Sequence, residues 1–188
     1  MKEKIIQECQ TISECFTGLK GLAPILQEVI DVCLVALKQG RKIMFCGNGG
    51  SASQSQHLAA ELVGRYKLNR LAMASVALTT DTSILTAVGN DYGYDEVFAR
   101  QVEGLGQSGD ILIGLSTSGN SPNVVKAFEK ATEKGIKTVA FVGGKGGMMS
   151  EKADFVLRVP SDQTNHIQEM HLALGHMLCG LIEESLYG

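Results

Sequence analysis

The 188-residue chain predicts an α/β fold: a single-domain, doubly wound, parallel five-stranded sheet with an N-terminal helical extension. Three observations predict it. From residue 41 onward, short apolar runs alternate with segments of helical periodicity. The runs are apolar at consecutive positions, as in Ile111-Leu112-Ile113, which suits strands covered on both faces. Two of them, Lys42–Cys46 and Asp110–Leu115, end in Gly/Ser-rich turns that lead straight into helical patterns.

Taken in order, Ile5, Cys9, Ile12, Phe16 and Leu19 alternate by four and three, the spacing of an amphipathic helix. Gly18 and Gly21 end it, and Pro24 opens the next. Residues 25–37 are apolar on nearly every side, so that helix is expected to be buried all round. Two settings do that: a wedge between sheet and first helix, or a subunit contact, which is preferred. Residues 1–40 are therefore read as a helical pair making an oligomer contact, and 41–188 as the ligand-binding unit. Within it, strands are expected at 42–46, 73–78, 110–115, 137–142 and 155–159. Helices are expected at 52–64, 81–88, 94–105, 122–134, 146–152 and 166–186. Right-handed crossovers put the loops that follow the strands along one sheet edge, where ligands of such folds bind.

Composition narrows the function. Net charge is -3, basic residues do not cluster and Trp is absent, which argues against a nucleic-acid partner. No apolar run approaches the ~18 residues of a membrane span. The mixed-charge N-terminus, Met1-Lys2-Glu3-Lys4, lacks a signal-peptide core. Five Cys without a C-x-x-C read as small buried apolar groups in a reducing cytoplasm.

The two turns carry the chemistry. Ser116-Thr117-Ser118-Gly119-Asn120-Ser121-Pro122 sets four hydroxyls where a strand ends and a helix begins. A helix N-terminus offers unpaired N–H groups and the positive end of the dipole, which together favour an oxyanion such as phosphate. One Ser or Thr there is ordinary capping, but four exceed what a cap needs. Gly47-Asn48-Gly49-Gly50-Ser51 repeats the arrangement. Read as G-x-G-x-x-A it also fits a dinucleotide turn. No acidic residue ends the second strand at the usual distance of about 20 residues, so a sugar phosphate is preferred and no nucleotide cofactor is expected. Val142-Gly143-Gly144-Lys145-Gly146-Gly147 lacks the Lys-Ser/Thr pair of a P-loop and reads as a tight turn. His57 and Glu61, four apart, share a helix face just beyond the first turn. His171 and His176, five apart on the apolar last helix, face different ways, and each is either a core histidine or an acid/base or metal group. Asn90 and Asp91 read as turn formers.

Together, Gly47-Asn48-Gly49-Gly50-Ser51, Val88-Gly89-Asn90-Asp91, Ser116–Ser121 and Ile167-Gln168-Glu169-Met170-His171 with His176 beyond resemble the sugar isomerase (SIS) domain family, nearest the branch acting on phosphoheptoses. The resemblance covers nearly the whole chain. It implies conversion of sedoheptulose 7-phosphate to D-glycero-D-manno-heptose 7-phosphate for lipopolysaccharide or capsule heptose, in a cytoplasmic homotetramer with active sites near subunit boundaries. Carried over, Ser51, Ser116, Thr117, Ser118 and Ser121 meet the phosphate. Asn48, Gly49, Gly50, Asn90, Asp91 and Gln168 line the sugar site together with Glu61. Glu61 and His176 form the acid/base pair, and His57, Glu61, Gln168 and His176 ligate one zinc per subunit. Gln168 and His176 lie about 12 Å apart along an ideal helix, so a shared ion needs inward reach or a mixing of subunits. One departure stands out: the family usually has Arg where this chain has His166. A non-catalytic relative of the replication-initiator-associating type, which binds a partner protein, is the alternative.

Overall fold

A computed structural model describes all 188 residues. Its elements are α1 (Lys2–Gly18), α2 (Ala23–Lys38), β1 (Ile43–Gly47), α3 (Gly50–Val63), β2 (Ser75–Ala77), α4 (Thr82–Asp91), α5 (Ala99–Leu105), β3 (Ile111–Ser116), α6 (Pro122–Glu133), β4 (Lys137–Val142), α7 (Gly147–Lys152), β5 (Phe155–Arg158) and α8 (Thr164–Tyr187). The five strands form one parallel sheet in the order β2-β1-β3-β4-β5. The chain reverses direction across the sheet between β1 and β3, so the turns following these neighbouring strands flank the switch point.

Strand alternation divides the core. Ile43 and Phe45 of β1, Ile111 and Ile113 of β3 and Phe141 of β4 face α2, α3 and α8. Met44, Cys46, Leu112 and Ala140 face the opposite layer, with Val102 of α5, Val124 and Phe128 of α6 and Met149 of α7. At the far edge, the buried Asp110 pairs with Lys42 Nζ at 2.6 Å and accepts from the Lys42 amide at 3.0 Å, fixing β1 beside β3.

The helical extension divides in two. Leu26, Val29, Ile30, Cys33 and Ala36 of α2 are buried in the main core, with Pro24 in its first turn as expected. Val35 of the same helix is 55% exposed, so α2 buries one stripe within a single chain rather than all sides. The amphipathic α1 buries no residue and leaves Ile5 and Ile6 more than half exposed. His166, buried at the start of α8, places Nε2 2.7 Å from Glu8 Oε1 and so ties α8 to α1; the position where the family pattern has Arg makes a tertiary anchor.

Several boundaries differ from the expectation. The helix over 94–105 is interrupted: a single 3-10 turn at Tyr94–Glu96 precedes α5, and Gly93 at φ +93° sets that turn off from α4. α4 runs on through Asn90 and Asp91, which lie in its last turn rather than in a loop, and Asp81 caps its start by accepting from the Ile84 amide at 2.9 Å. Cys33, Cys46 and Cys179 are buried, and burial pushes the Cys46 and Cys179 thiols up to about 12. Cys9 is exposed on α1, against the expectation that all five are buried.

Candidate active site

The Ser loop after β3 folds its hydroxyls onto one another. Ser116 Oγ lies 2.8 Å from Ser121 Oγ and 3.4 Å from Ser118 Oγ, and it accepts the Gly119 amide at 3.1 Å. Ser121 is the N-cap residue of α6, yet its side chain makes no capping bond. The capping reading therefore fails for this hydroxyl, which is held inside the loop. α3 likewise begins at Gly49, φ +55°, without a side-chain cap. Two helix N-termini thus converge, uncapped by side chains, on a cavity of about 110 Å³ lined by Asn48, Ser51, Ser116, Thr117, Ser118, Ser121 and Gln168. A water occupies ~30 Å³ of liquid, so the space admits a phosphate group.

Gly50 leaves room where these walls meet: a Cβ there would lie 2.6 Å from Gln168 Nε2 and displace that amide from the start of α3. The glycine turn over residues 143–147 packs against the Ser loop: the Met149 amide bonds the Gly119 carbonyl, and the Met148 amide bonds Asn120 Oδ1, both at 2.9 Å. It acts as a buttress, consistent with a tight turn.

A second cluster lies where α3 meets α8. His57 Nε2 is 2.8 Å from His176 Nε2 and 3.3 Å from Glu61 Oε1. Donor atoms of the three residues all fall within 4.8 Å of one another. Their approach depends on Gly175, whose absent Cβ would sit 2.5 Å from both Leu58 methyls. A larger residue there would hold α8, and His176 with it, away from α3. His171, five residues earlier, turns into the core against the Phe141 ring, with centroids 5.8 Å apart. Burial takes its pKa down to about 4, an effect partly offset by the Val142 backbone. The two readings of a histidine on this helix are thus both realised: His171 is a neutral core residue, and His176 belongs to the cluster.

Asn90 and Asp91 are not in the cavity wall; they are exposed at the end of α4, with Asn90 Nδ2 bonded to Asp91 Oδ1 at 2.8 Å. The segment reaches the site through Tyr94, whose hydroxyl bonds Asn48 Oδ1 at 3.2 Å. Sequence reasoning missed Asn123 as well. This buried residue exchanges two 2.9 Å amide bonds with Asn48, locking the turn after β1 to the first turn of α6. Its signal in the sequence was faint, because a polar residue in a helix's first turn is ordinary.

The fold and this edge define a sugar-phosphate-binding class of protein. Residues 9–143 match the SIS domain family, and the chain belongs to that family. Over its full length it is 59% identical to the phosphoheptose isomerase of Akkermansia muciniphila, all of which is covered. It is 54% identical to that of Rhodospirillum rubrum, with 99% of each chain covered. The phosphoheptose isomerase of Neisseria gonorrhoeae superposes with a TM-score of 0.92 at 40% identity, covering 97% of this chain and 98% of that one. The Francisella tularensis enzyme superposes with a TM-score of 0.93 at 34% identity, covering 97% of both chains.

Proposed function

We propose that the chain is an aldose–ketose isomerase converting sedoheptulose 7-phosphate to D-glycero-D-manno-heptose 7-phosphate, for surface-glycan heptose. The observation that carries this reading is the meeting of Glu61, His57 and His176 at the sheet edge that also holds a phosphate-sized, hydroxyl-lined cavity. Similarity to phosphoheptose isomerases over the whole chain supports it.

In the mechanism, Ser51 and the hydroxyls of Ser116, Thr117, Ser118 and Ser121 hold the phosphate. Asn48, Gly49, Gly50 and Gln168 line the path of the polyol chain. Binding energy from this remote end orients the reacting carbons. Glu61 takes the proton from C1, and His176 delivers one to the C2 carbonyl oxygen, giving the ene-diol. Removing the O1 proton and protonating C2 then yields the aldose. His57, 3.3 Å from the Glu61 carboxylate, holds that side chain toward α8.

The donors also fit a metal. Two imidazoles and a carboxylate are a common zinc set, and ligands of one tetrahedral zinc stand about 3.3 Å apart. His57, Glu61 and His176 would hold the ion; Gln168, whose amide lies against Gly50, enters as a fourth donor only through the family resemblance. Zinc would act as a Lewis acid on the carbonyl. A homotetramer explains two bare surfaces: the apolar face of α1, and a groove of about 760 Å³ beside His176 whose wall includes Tyr66, Leu68, Met177 and Leu181. No helix is long and apolar enough to cross a membrane.

The test is incubation with sedoheptulose 7-phosphate and NMR identification of the product, with metal content measured and with and without a chelator. The expected product is the aldoheptose 7-phosphate; no aldoheptose from a folded preparation overturns the reading. A chelator that alters neither activity nor melting temperature removes zinc from it.

A further inference from the structure

Behind the acid/base cluster lies a buried ion pair that no step above uses. Arg70 Nε meets Glu183 Oε1 at 3.0 Å, and each side chain is 1% exposed. Arg70 follows α3, and Glu183 lies seven residues beyond His176, two turns along the same face of α8.

The other bonds of Arg70 go to the C-terminal end of α3, apart from one to the adjacent Leu71 carbonyl at 3.0 Å. Its Nη2 donates to the carbonyl of Glu61 at 2.8 Å, and its Nη1 donates to that of Leu62 at 2.7 Å. These are last-turn carbonyls of α3, which have no partner within the helix. The last turn of α3 carries no basic residue and ends at Gly64, so Arg70 supplies the missing cap from outside. Glu183 in turn accepts the backbone amides of Tyr66 at 2.9 Å, Lys67 at 2.6 Å and Leu68 at 2.9 Å. Tyr66, held this way, sets its ring 5.7 Å from that of His176.

We infer that Glu183 and Arg70 form a positioning pair for the acid/base centre. They clamp the turn of α3 that carries Glu61 to the helix that carries His176, and they hold Tyr66 against that imidazole. The pair spans both elements of the cluster and bonds the backbone of Glu61 itself. The network reaches Glu61 through the open end of its helix, so it fixes the backbone from which that carboxylate extends. The inference rests on the isomerase reading, in which Glu61 and His176 move protons between fixed atoms. A displacement of about 1 Å at such a centre costs up to ~10²-fold in rate.

The experiment compares Arg70→Lys and Glu183→Gln with wild type, as full-length protein well below the measured melting temperature. Arg70→Lys keeps a cation beside Glu183 but cannot reach both helix carbonyls. The expected result is a kcat reduced about 10- to 100-fold with KM for sedoheptulose 7-phosphate within about threefold. In a Glu61→Gln background, Arg70→Lys should cost less than about threefold more, because the group it positions is gone. Amide hydrogen exchange at residues 61–68 should be at least about tenfold faster in Arg70→Lys. A lowered melting temperature with unchanged kcat, or additive losses in the Glu61→Gln background, overturns the inference. If Glu183→Gln does not fold, Arg70→Lys decides the matter alone. Wild type that isomerises no sugar phosphate would remove the reaction rather than the clamp. Exchange at 61–68 then judges the clamp: faster exchange supports it, and unchanged exchange overturns it.

Discussion

The Ser loop after β3 and the cluster between α3 and α8 serve the same sheet edge but are built in opposite ways. The loop gathers Ser116, Thr117, Ser118 and Ser121 from six consecutive residues, and the three serine hydroxyls bond one another through Ser116. The cluster brings His57 and His176 together across 119 residues of chain. A local site shares its work among redundant hydroxyls, so losing one should be graded. A site assembled from two helices has one residue per role and depends on how those helices pack.

The sharpest way to break this contrast is to remove a proton-transfer group. Glu61→Gln and His176→Gln should each lower kcat about 10³-fold while leaving KM within a few-fold, as read from steady-state kinetics. Near-full turnover in either variant would show that the cluster is not where the chemistry occurs.

Acid stability should follow the anchoring of the same region. Burial by itself would raise the Glu183 carboxyl, but the amides of Leu68, Tyr66 and Lys67 together with Arg70 outweigh it and bring it from 4.5 down to about 2. A group lowered in the folded state contributes stability in full above its unfolded value and loses it as pH falls through the folded one. The fold should therefore lose stability from this group as pH falls from about 4.5 toward 2. Urea titrations of wild type and Glu183→Gln at pH 6 and pH 3 measure it, and the variant should show the weaker pH dependence.

Gly175→Ala probes the helix contact directly. The new methyl meets Leu58 at 2.5 Å, so overpacking of about 1–3 kcal/mol is expected, with a lower melting temperature and reduced kcat. The smallest effect belongs to the loop. Ser121→Ala should raise KM about tenfold with kcat nearly unchanged, because one hydrogen bond to a charged group is worth about 1.5 kcal/mol. A loss in Ser121→Ala as large as in His176→Gln would erase the distinction between graded and single-residue sites.

The sequence alone determined the parallel sheet, its five strands to within two residues at most ends, and both Gly/Ser-rich turns at the sheet edge. These features are written in neighbouring residues: apolar runs, glycines, and hydroxyls next to a helix start. The His57–Glu61 face was legible for the same reason, since helical spacing fixes it. Only tertiary structure decided which histidine of α8 meets that face. His171 and His176 sit in similarly apolar surroundings in the chain, and the choice between them is made by the close approach of Gly175 to Leu58. Asn123 opposite Asn48, His166 on Glu8 and Arg70 capping α3 were invisible for the same physical reason. Each is a polar contact between residues distant in the chain, and no local periodicity or propensity encodes which distant partner a polar side chain will meet.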